Sequence, residues 1–329
     1  MDGAVTVGTT IVTGAAGFVG FHVARALLGR GERVIGIDSV NSYYDVALKH
    51  ARLAQLQDLP GFTFHRADIA EKAAMFPLFE ASGATRVVHL AAQAGVRYSM
   101  EDPWAYVSSN VMGHVTILEA ARRLIGLEHL VYASSSSVYG GNTKLPFAEV
   151  DPVDTPVSLY AATKRSDELM SHAYWHLYGM PLTGLRFFTV YGPWGRPDMA
   201  YYSFAEAILA GRPITVYDEG RLRRDFTYID DIVAGVLACL DRPVAGPPRV
   251  FNIGNNRSEY VSELVGLLEK GLGRRAIVQS APRPVADVVE TCADLVAIQA
   301  ATGYAPTTPL DVGIPRFVEW LLAYKGRNA

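Results

Sequence analysis

Short apolar runs alternate with amphipathic stretches through the first two thirds of the chain. Runs rich in Val, Ile and Thr predict buried strands at residues 9–13, 33–37, 62–69, 86–93, 130–133 and 182–188. Stretches with apolar residues at helical spacing lie between them, including two long ones at 106–124 and 160–178. This alternation predicts an α/β fold with a doubly wound parallel (Rossmann) sheet and its ligand at the strand C-termini.

Residues beyond 188 follow a different pattern. A helix is expected from about residue 230 to 240, and the run 249–254 could return as a last strand to the first sheet. The remainder of the chain is expected to be helical with loops. Residues 1–190 with about 225–256 are therefore predicted to form the dinucleotide-binding domain. About 191–224 with 257–329 would form a smaller α/β substrate-binding domain.

A glycine turn follows the first strand and opens the first helix. Gly14 allows a tight turn, Gly17 lets the backbone approach a pyrophosphate, and Gly20 lets helix and strand pack closely. The second strand ends at Asp38, where a carboxylate can bind a ribose 2′-hydroxyl and would repel a 2′-phosphate. Asp68, at the end of the third strand, is placed to meet an adenine. We therefore expect NAD rather than NADP; a solvated strand-end carboxylate is the alternative interpretation of Asp38.

Tyr160 and Lys164 lie four residues apart, so a helix places them on one face. The ammonium favours the phenolate, which can take a proton from a sugar hydroxyl at neutral pH. A hydroxyl that loses its proton to a base can lose its hydride to a nicotinamide. The pattern is loose, and a chance occurrence among 17 tyrosines is the alternative.

Three further segments carry candidate chemistry. Four serines, residues 134–137, follow the fifth strand near the expected crevice and either contact substrate or form a plain loop. Residues 189–198 are turn-rich and aromatic, like a binding loop. Arg221, Arg223 and Arg224 form either a solvated basic turn or a clamp on a diphosphate. His89, within the fourth strand, is expected to be a satisfied core histidine.

Composition limits the function. The chain has 329 residues, half of them hydrophobic, and a net charge of −3, which does not favour nucleic acid or an anionic membrane as a partner. Cys239 and Cys292 lack metal spacing and are expected to be reduced core residues of a cytoplasmic protein. We see no signal peptide, no apolar run of about 18 residues and no metal site.

The glycine turn, the serine run and Tyr160-x-x-x-Lys164 together resemble the extended short-chain dehydrogenase/reductase superfamily. Longer stretches resemble the UDP-glucuronate 4-epimerases, namely residues 41–46, 92–99, 185–199 and 224–231. The resemblance extends from about Thr10 to the C-terminus, and residues 185–199 are its most specific part.

The resemblance implies reversible C4 epimerisation of UDP-glucuronate to UDP-galacturonate through a transient 4-keto sugar. Tyr160 would take the proton of the sugar 4-hydroxyl, Ser135 would help, and Lys164 would also hold the nicotinamide ribose. NAD takes the C4 hydride and returns it to the opposite face, so it is regenerated. The other implied cofactor contacts are Phe18, Val19, Ile69 and Ala91.

The resemblance also implies contacts to the nucleotide sugar. Arg97 belongs to this set, and Asn110 would hold the nucleotide sugar or the active-site geometry. Arg224 and Arg283 would bind the diphosphate, and Asp287 the uridine ribose. Oxidation at C4 makes a β-keto acid that tends to lose CO₂, so the carboxylate must be held out of line with the carbonyl. The residues expected to hold it are Ser136, Ser137, Thr189 and Arg196.

Alternative functions stay open at this stage. UDP-glucuronate decarboxylases usually carry a glutamate where Ser137 stands, and 4,6-dehydratases need an Asp-Glu pair at Ser136-Ser137. Many sugar epimerases carry asparagine where Thr189 stands, but a neutral UDP-hexose 4-epimerase remains possible if Arg196 faces solvent. An idle nucleotide-binding regulator, the non-enzyme alternative, has no need of the Ser135, Tyr160 and Lys164 set. Relatives also suggest a homodimer in which helices 106–124 and 160–178 form a four-helix bundle.

Overall fold

The computed structural model describes residues 8–243, 245–284 and 287–327. The strands in these ranges are β1 (Thr9–Thr13), β2 (Arg33–Asp38), β3 (Phe62–Arg66), β4 (Arg86–His89), β5 (His129–Ser135), β6 (Leu182–Phe187), β7 (Thr189–Tyr191), β8 (Pro213–Tyr217), β9 (Arg223–Tyr228), β10 (Arg249–Ile253), β11 (Ser258–Tyr260) and β12 (Ile277–Ala281). The helices are α1 (Phe18–Gly29), α2 (Val46–Gln57), α3 (Lys72–Ser82), α4 (Pro103–Tyr106), α5 (Gly113–Ala121), α6 (Leu159–Tyr178), α7 (Ala200–Leu209), α8 (Ile229–Leu240), α9 (Val261–Leu272), α10 (Val296–Thr302) and α11 (Leu310–Arg327). A π-helical turn (Val107–Met112) joins α4 to α5.

The central sheet has seven parallel strands in the order β10-β6-β5-β4-β1-β2-β3. The chain starts in the middle, winds outward through β2 and β3, and then continues on the other side of β1. The predicted doubly wound sheet is confirmed. The predicted return of the run 249–254 is also confirmed, since β10 pairs with β6. All seven strands present their carboxyl ends to one edge, where the order reverses between β1 and β4.

Apolar layers cover both faces of this sheet. Neighbouring strand residues point to opposite faces, so Ile11 and Val12 belong to different core clusters, and both are fully buried. Phe21 of α1 lies in the cluster with Val12, and Leu118 of α5 lies in the cluster with Ile11. Burial on both faces explains why the strands appear as continuous apolar runs.

Two smaller sheets lie outside the central one. One has the order β11-β9-β7 and the other pairs β12 with β8. The expectation that the chain beyond residue 254 contains only helices and loops is therefore wrong. β11 has three residues, and β12 is largely exposed along its length, so neither has the alternation or the buried run that predicts a strand. The predicted division into two domains stays a prediction.

Several predicted boundaries also shift. β3 ends at Arg66 and β4 at His89, so the segments after them become loops at the carboxyl edge. The helix expected over 106–124 begins at Pro103 and ends at Ala121, with the π-helical turn inside it. None of the helices in the described ranges combines the length and the apolar character that a membrane span requires.

Candidate active site

A cavity of about 1030 Å³ opens at the carboxyl edge of the central sheet. Its volume is at the upper end of the range usual for small-molecule sites. It brings together most of the predicted site residues: Gly14, Gly17, Phe18, Val19, Gly20, Asp38, Asp68, Ile69, Ala91, Arg97, Ser135, Ser136, Ser137, Tyr160, Lys164, Thr189, Arg196, Arg224 and Asp287. Asn110 and Arg283 are not among the residues that line it.

The glycine turn has the shape that a bound dinucleotide requires. Gly14 has a φ of +76°, and a Cβ there would lie 2.8 Å from the amide nitrogen of Ala91. A Cβ on Gly20 would lie 2.0 Å from the Gly14 carbonyl oxygen. Gly17 is the N-cap of α1 and has no side chain to satisfy the first amides of the helix. Residues 17–20 of this first turn line the cavity, where free helix N-terminal amides can bind a pyrophosphate.

Asp38 lies at the end of β2 and is held by two backbone amides. Its Oδ2 accepts from Ala16 N at 3.0 Å and its Oδ1 from Val40 N at 2.8 Å. The same carboxylate lines the cavity, as expected for a group that binds a ribose hydroxyl.

Lys49 also lines the cavity and was missed in the sequence. Its buried ammonium donates to the Asn41 carbonyl at 2.7 Å and lies 4.6 Å from the Tyr44 ring centroid. Burial lowers the pKa of Lys49, and the Asp38 carboxylate acts in the opposite direction. Lys49 was missed because a lysine on an amphipathic helix usually lies on the solvated face. The nearest signal in the sequence was the family resemblance of residues 41–46.

Ser135 and Tyr160 are placed by two adjoining elements. Ser135 is the last residue of β5, and Tyr160 lies in the first turn of α6. Ser158 caps this helix, because its Oγ accepts from the amide of Ala161 at 3.1 Å. The Ser135 Oγ accepts from the amide of Ser137 at 3.2 Å, which fixes the direction of the serine run. The predicted base and its helper therefore share the cavity.

Lys164 reaches this site from one turn further along α6. Its buried ammonium donates to the Ala133 carbonyl at 3.0 Å and to Asp167 Oδ2 at 3.1 Å. Burial raises the pKa of Asp167 to about 6, although the Lys164 charge acts against this. These two contacts hold the ammonium on the cavity side of α6.

Asn110 connects two of these elements from beneath the cavity. Its Oδ1 accepts from Gln93 N at 2.8 Å, and its Nδ2 donates to the Gln93 carbonyl at 3.0 Å and Thr163 Oγ1 at 2.9 Å. Thr163 in turn donates to the Tyr160 carbonyl at 2.9 Å. Of its two expected roles, support of the active-site geometry is the one that these contacts favour.

Arg196 faces the cavity, with 21% of its side chain exposed. Its Nε donates to Asp198 Oδ1 at 3.0 Å, a second contact joins Nη2 to Oδ2, and Tyr43 OH donates to Oδ2 at 3.2 Å. Burial opposes ionisation of Asp198, but the guanidinium outweighs it and keeps the pKa of Asp198 below its usual value. Thr189, Ser136 and Ser137 add hydroxyls to the same cavity, so the set can hold a carboxylate.

The far end of the cavity contains cations near one acidic residue. Arg97 pairs with Asp287 at 2.9 Å and lies 4.7 Å from the Tyr217 ring centroid. Burial lowers the pKa of Arg224, the Asp287 carboxylate acts against this, and the charges of Arg97 and Arg283 act in the same direction as burial. Mutual repulsion of these guanidinium groups would be relieved by a bound anion such as a diphosphate.

The predicted arginine cluster at residues 221–224 is only partly at the cavity. Arg224 lines it, whereas Arg221 pairs with Asp218 and Glu219 and is exposed. Arg223 pairs with Glu290 at 3.1 Å. Arg221 thus fits the interpretation as a solvated basic turn. Of the three arginines, Arg224 is the one that could bind a diphosphate in the cavity. Arg283 is exposed and donates to the carbonyl of Asp287.

His89 is a core residue, as predicted. It is buried, and its Nδ1 lies 2.7 Å from Thr13 Oγ1. Burial lowers the pKa of His89 well below its usual value, so the ring stays neutral and has a structural role.

Residues 10–254 match the NAD-dependent epimerase/dehydratase family. The chain belongs to this family. It is 50% identical over 331 residues to UDP-glucuronate 4-epimerase 4 of Arabidopsis thaliana, an alignment covering 96% of this chain and 76% of the relative. It is 46% identical to the probable UDP-glucuronate 4-epimerase of Rhizobium meliloti, covering 94% of this chain and 96% of the relative.

A solved structure extends this likeness to three dimensions. UDP-glucuronic acid 4-epimerase from Bacillus cereus, solved in complex with UDP-glucuronic acid and NAD, matches with a TM-score of 0.90 and 33% identity. The match covers 96% of this chain and 99% of the other. Membership of the NAD-dependent epimerase/dehydratase family confirms the predicted resemblance, fold class and use of NAD.

Proposed function

We propose that this chain interconverts UDP-glucuronate and UDP-galacturonate by epimerisation at C4. The observation that carries the proposal is one cavity that contains both a hydroxyl-oxidising set and a carboxylate-binding set. Ser135, Tyr160 and Lys164 form the first, and Arg196 with Thr189 belongs to the second. The relatives from Arabidopsis thaliana and Bacillus cereus carry the same activity in their names.

Each protein group has one task in the proposed reaction. The glycine turn and Asp38 would hold NAD, which would supply the acceptor and donor of the C4 hydride. Tyr160 takes the proton from the 4-hydroxyl and returns it after the keto sugar has turned over, so its net state is unchanged. Ser135 donates a hydrogen bond to the same oxygen, and Lys164 stabilises the phenolate.

The carboxylate-binding set protects the intermediate. A 4-keto uronate is a β-keto acid and loses CO₂ when its carboxylate C–C bond aligns with the carbonyl π system. Arg196 and Thr189 would fix the carboxylate away from that alignment, with help from Ser136 and Ser137. UDP-glucuronate decarboxylases usually carry a glutamate where Ser137 stands, and the neutral-hexose alternative is disfavoured because Arg196 faces the cavity.

Product analysis tests this function. Purified protein with UDP-glucuronate should form UDP-galacturonate, with no accumulation of NADH and no CO₂, as followed by NMR. A UDP-pentose product would contradict the proposal and favour the decarboxylase.

Arg196→Ala tests the carboxylate-binding set. This variant should raise KM for UDP-glucuronate by roughly tenfold, as expected for loss of a charged hydrogen bond. UDP-glucose, which lacks the carboxylate, is the matched neutral control substrate.

We also propose that the chain acts as a homodimer through a four-helix bundle of the α4–α5 region and α6. These helices lie side by side and expose large apolar side chains, of which Trp104 is 79% and Leu169 56% exposed. Exposed apolar groups on adjoining helices are typical of an interface.

A cytoplasmic location, predicted from two reduced cysteines, is consistent with the proposed use of NAD and a UDP-sugar.

A further inference from the structure

Arg52 of α2 is fully buried, and all five of its N–H groups have acceptors. Nε donates to the Trp194 carbonyl at 3.1 Å, and Nη2 donates to the carbonyls of Trp194 at 2.6 Å and Gly195 at 2.9 Å. Nη1 donates to the Ala16 carbonyl at 2.9 Å and the Tyr44 hydroxyl at 2.7 Å. A buried guanidinium requires this degree of satisfaction.

The acceptors of Arg52 are neutral oxygens, and all but the Tyr44 hydroxyl come from distant parts of the chain. Trp194 lies 142 positions away and Ala16 lies 36 positions away. Hydrogen bonds from a charged donor are stronger than those between neutral groups. The side chain therefore joins two loops that the chain does not connect locally.

The first of these loops leads into Arg196. Trp194 has a φ of +61°, a conformation that is strained for a bulky residue. Two hydrogen bonds from Arg52 hold its carbonyl, and its ring packs against Trp320 at 5.2 Å and Phe21 at 5.7 Å. The direction in which the backbone enters Arg196 is set by these contacts.

The second loop is the glycine turn after β1. Ala16 lies between Gly14 and Gly17, and its amide donates to the Asp38 carboxylate at 3.0 Å. A continuous path of hydrogen bonds thus runs from Asp38 through Ala16 and Arg52 to Trp194. Arg52 itself is not among the residues that line the cavity, so it acts through its partners.

We propose that Arg52 is a positioning residue that fixes the position of Arg196 relative to the glycine turn, so that the sugar carboxylate and the C4 carbon are placed together. This inference rests on the proposed function, because it assigns the carboxylate to Arg196. Its removal should misplace the acid-binding group more than the catalytic hydroxyls, which lie on β5 and α6.

A double-mutant cycle tests the proposal. R52M in the full chain should raise KM for UDP-glucuronate by roughly tenfold with a smaller change in kcat, because small misplacements weaken oriented contacts. R52K, which retains three donors, should recover part of the loss. In an R196A background, R52M should add little further increase, since both changes remove one coupled contact.

Two outcomes separate the possible failures. Equal KM increases from R52M in the wild-type and R196A backgrounds would overturn the positioning role. An unchanged KM in R196A alone would instead contradict the assignment of the carboxylate to Arg196, whereas failure of the wild-type chain to form UDP-galacturonate would contradict the proposed function. Arg242, an exposed arginine whose guanidinium donates to the Thr302 carbonyl, offers a control that does not line the cavity. R242M should lower Tm without changing KM.

Amide hydrogen exchange provides a second readout if R52M does not fold. Faster exchange in R52K confined to residues 14–17 and 193–198 would support the proposal. Unchanged exchange in both segments, together with a Tm below that of the wild-type chain, would overturn it, because it would leave only a general contribution to stability.

Discussion

The positions of individual side chains in this site are set by their buried hydrogen-bond partners. Lys164 is held by the Ala133 carbonyl and by Asp167, so its charge stays on the cavity side of α6 where Tyr160 lies. Tyr160 lines the cavity together with Ser135. A phenol in this setting can act as a proton acceptor and donor, which is the role proposed for Tyr160.

Tyr160→Phe removes that hydroxyl and keeps the ring. Turnover of UDP-glucuronate should fall by about 10²–10⁴-fold, the usual contribution of a general base, while NAD remains bound. Steady-state rates and the cofactor content of the purified protein measure this. Tyr174→Phe, on the same helix but bonded to Glu119, is the matched control and should keep its rate. Near wild-type turnover by the Tyr160 variant would rule out its role as base.

Among elements, the π-helical turn between α4 and α5 has the clearest effect on the site. It contains Asn110, whose side chain satisfies both backbone groups of Gln93 and also bonds Thr163. A π-turn inserts one residue into a helix and re-aims its side chains, and such turns are frequent at functional sites. This turn ties the loop after β4 to the start of α6.

Asn110→Ala removes that connection. The free energy of unfolding should fall by about 1–3 kcal/mol, because buried amide and carbonyl groups lose their partners. kcat should fall more than KM rises, since Tyr160 is displaced through Thr163. Denaturant unfolding and steady-state kinetics measure the two effects. Asn142→Ala, in a loop where the side chain bonds only the Lys144 amide, is the control. Wild-type kcat in the Asn110 variant would contradict this role.

At the scale of the whole molecule, one cavity joins the central sheet to the segments outside it. The segments at the ends of β1, β2 and β5, together with α1 and α6, supply the candidate cofactor and catalytic residues, whereas β7, α7 and β8 line the other side. Ligands of doubly wound sheets bind at this carboxyl edge because several strand ends and helix N-termini converge there. The exposed apolar side chains of α4 and α6 form a separate face, on which the homodimer is proposed.

A charge placed on that face should separate the proposed dimer. Leu169→Glu and Trp104→Glu should each shift the mass in solution from twice 35.7 kDa to that of one chain, because a charge in an apolar interface is costly. Sedimentation equilibrium or light scattering measures the mass. Ile125→Glu, which is 96% exposed and lies outside both helices, is the control. A monomeric wild-type chain would contradict the dimer.

Local patterns predict the framework, which the structure confirms, and they mark the candidate catalytic set. The glycine turn and Tyr160-x-x-x-Lys164 are each contained in a few consecutive residues, so strand and helix periodicity alone places them. The parallel sheet follows from alternation of buried strands and helices, and the order of its strands leaves one edge for a ligand.

Only the tertiary structure decided which partners the other polar groups have. Arg52 meets Trp194 across 142 positions, Arg196 is paired with Asp198 and Tyr43, and Lys49 is buried beside Asp38. The short strands β11 and β12 exist through pairing with β9 and β8. Periodicity reports which face of an element is apolar, whereas partner choice depends on chain segments that come together only when the molecule folds.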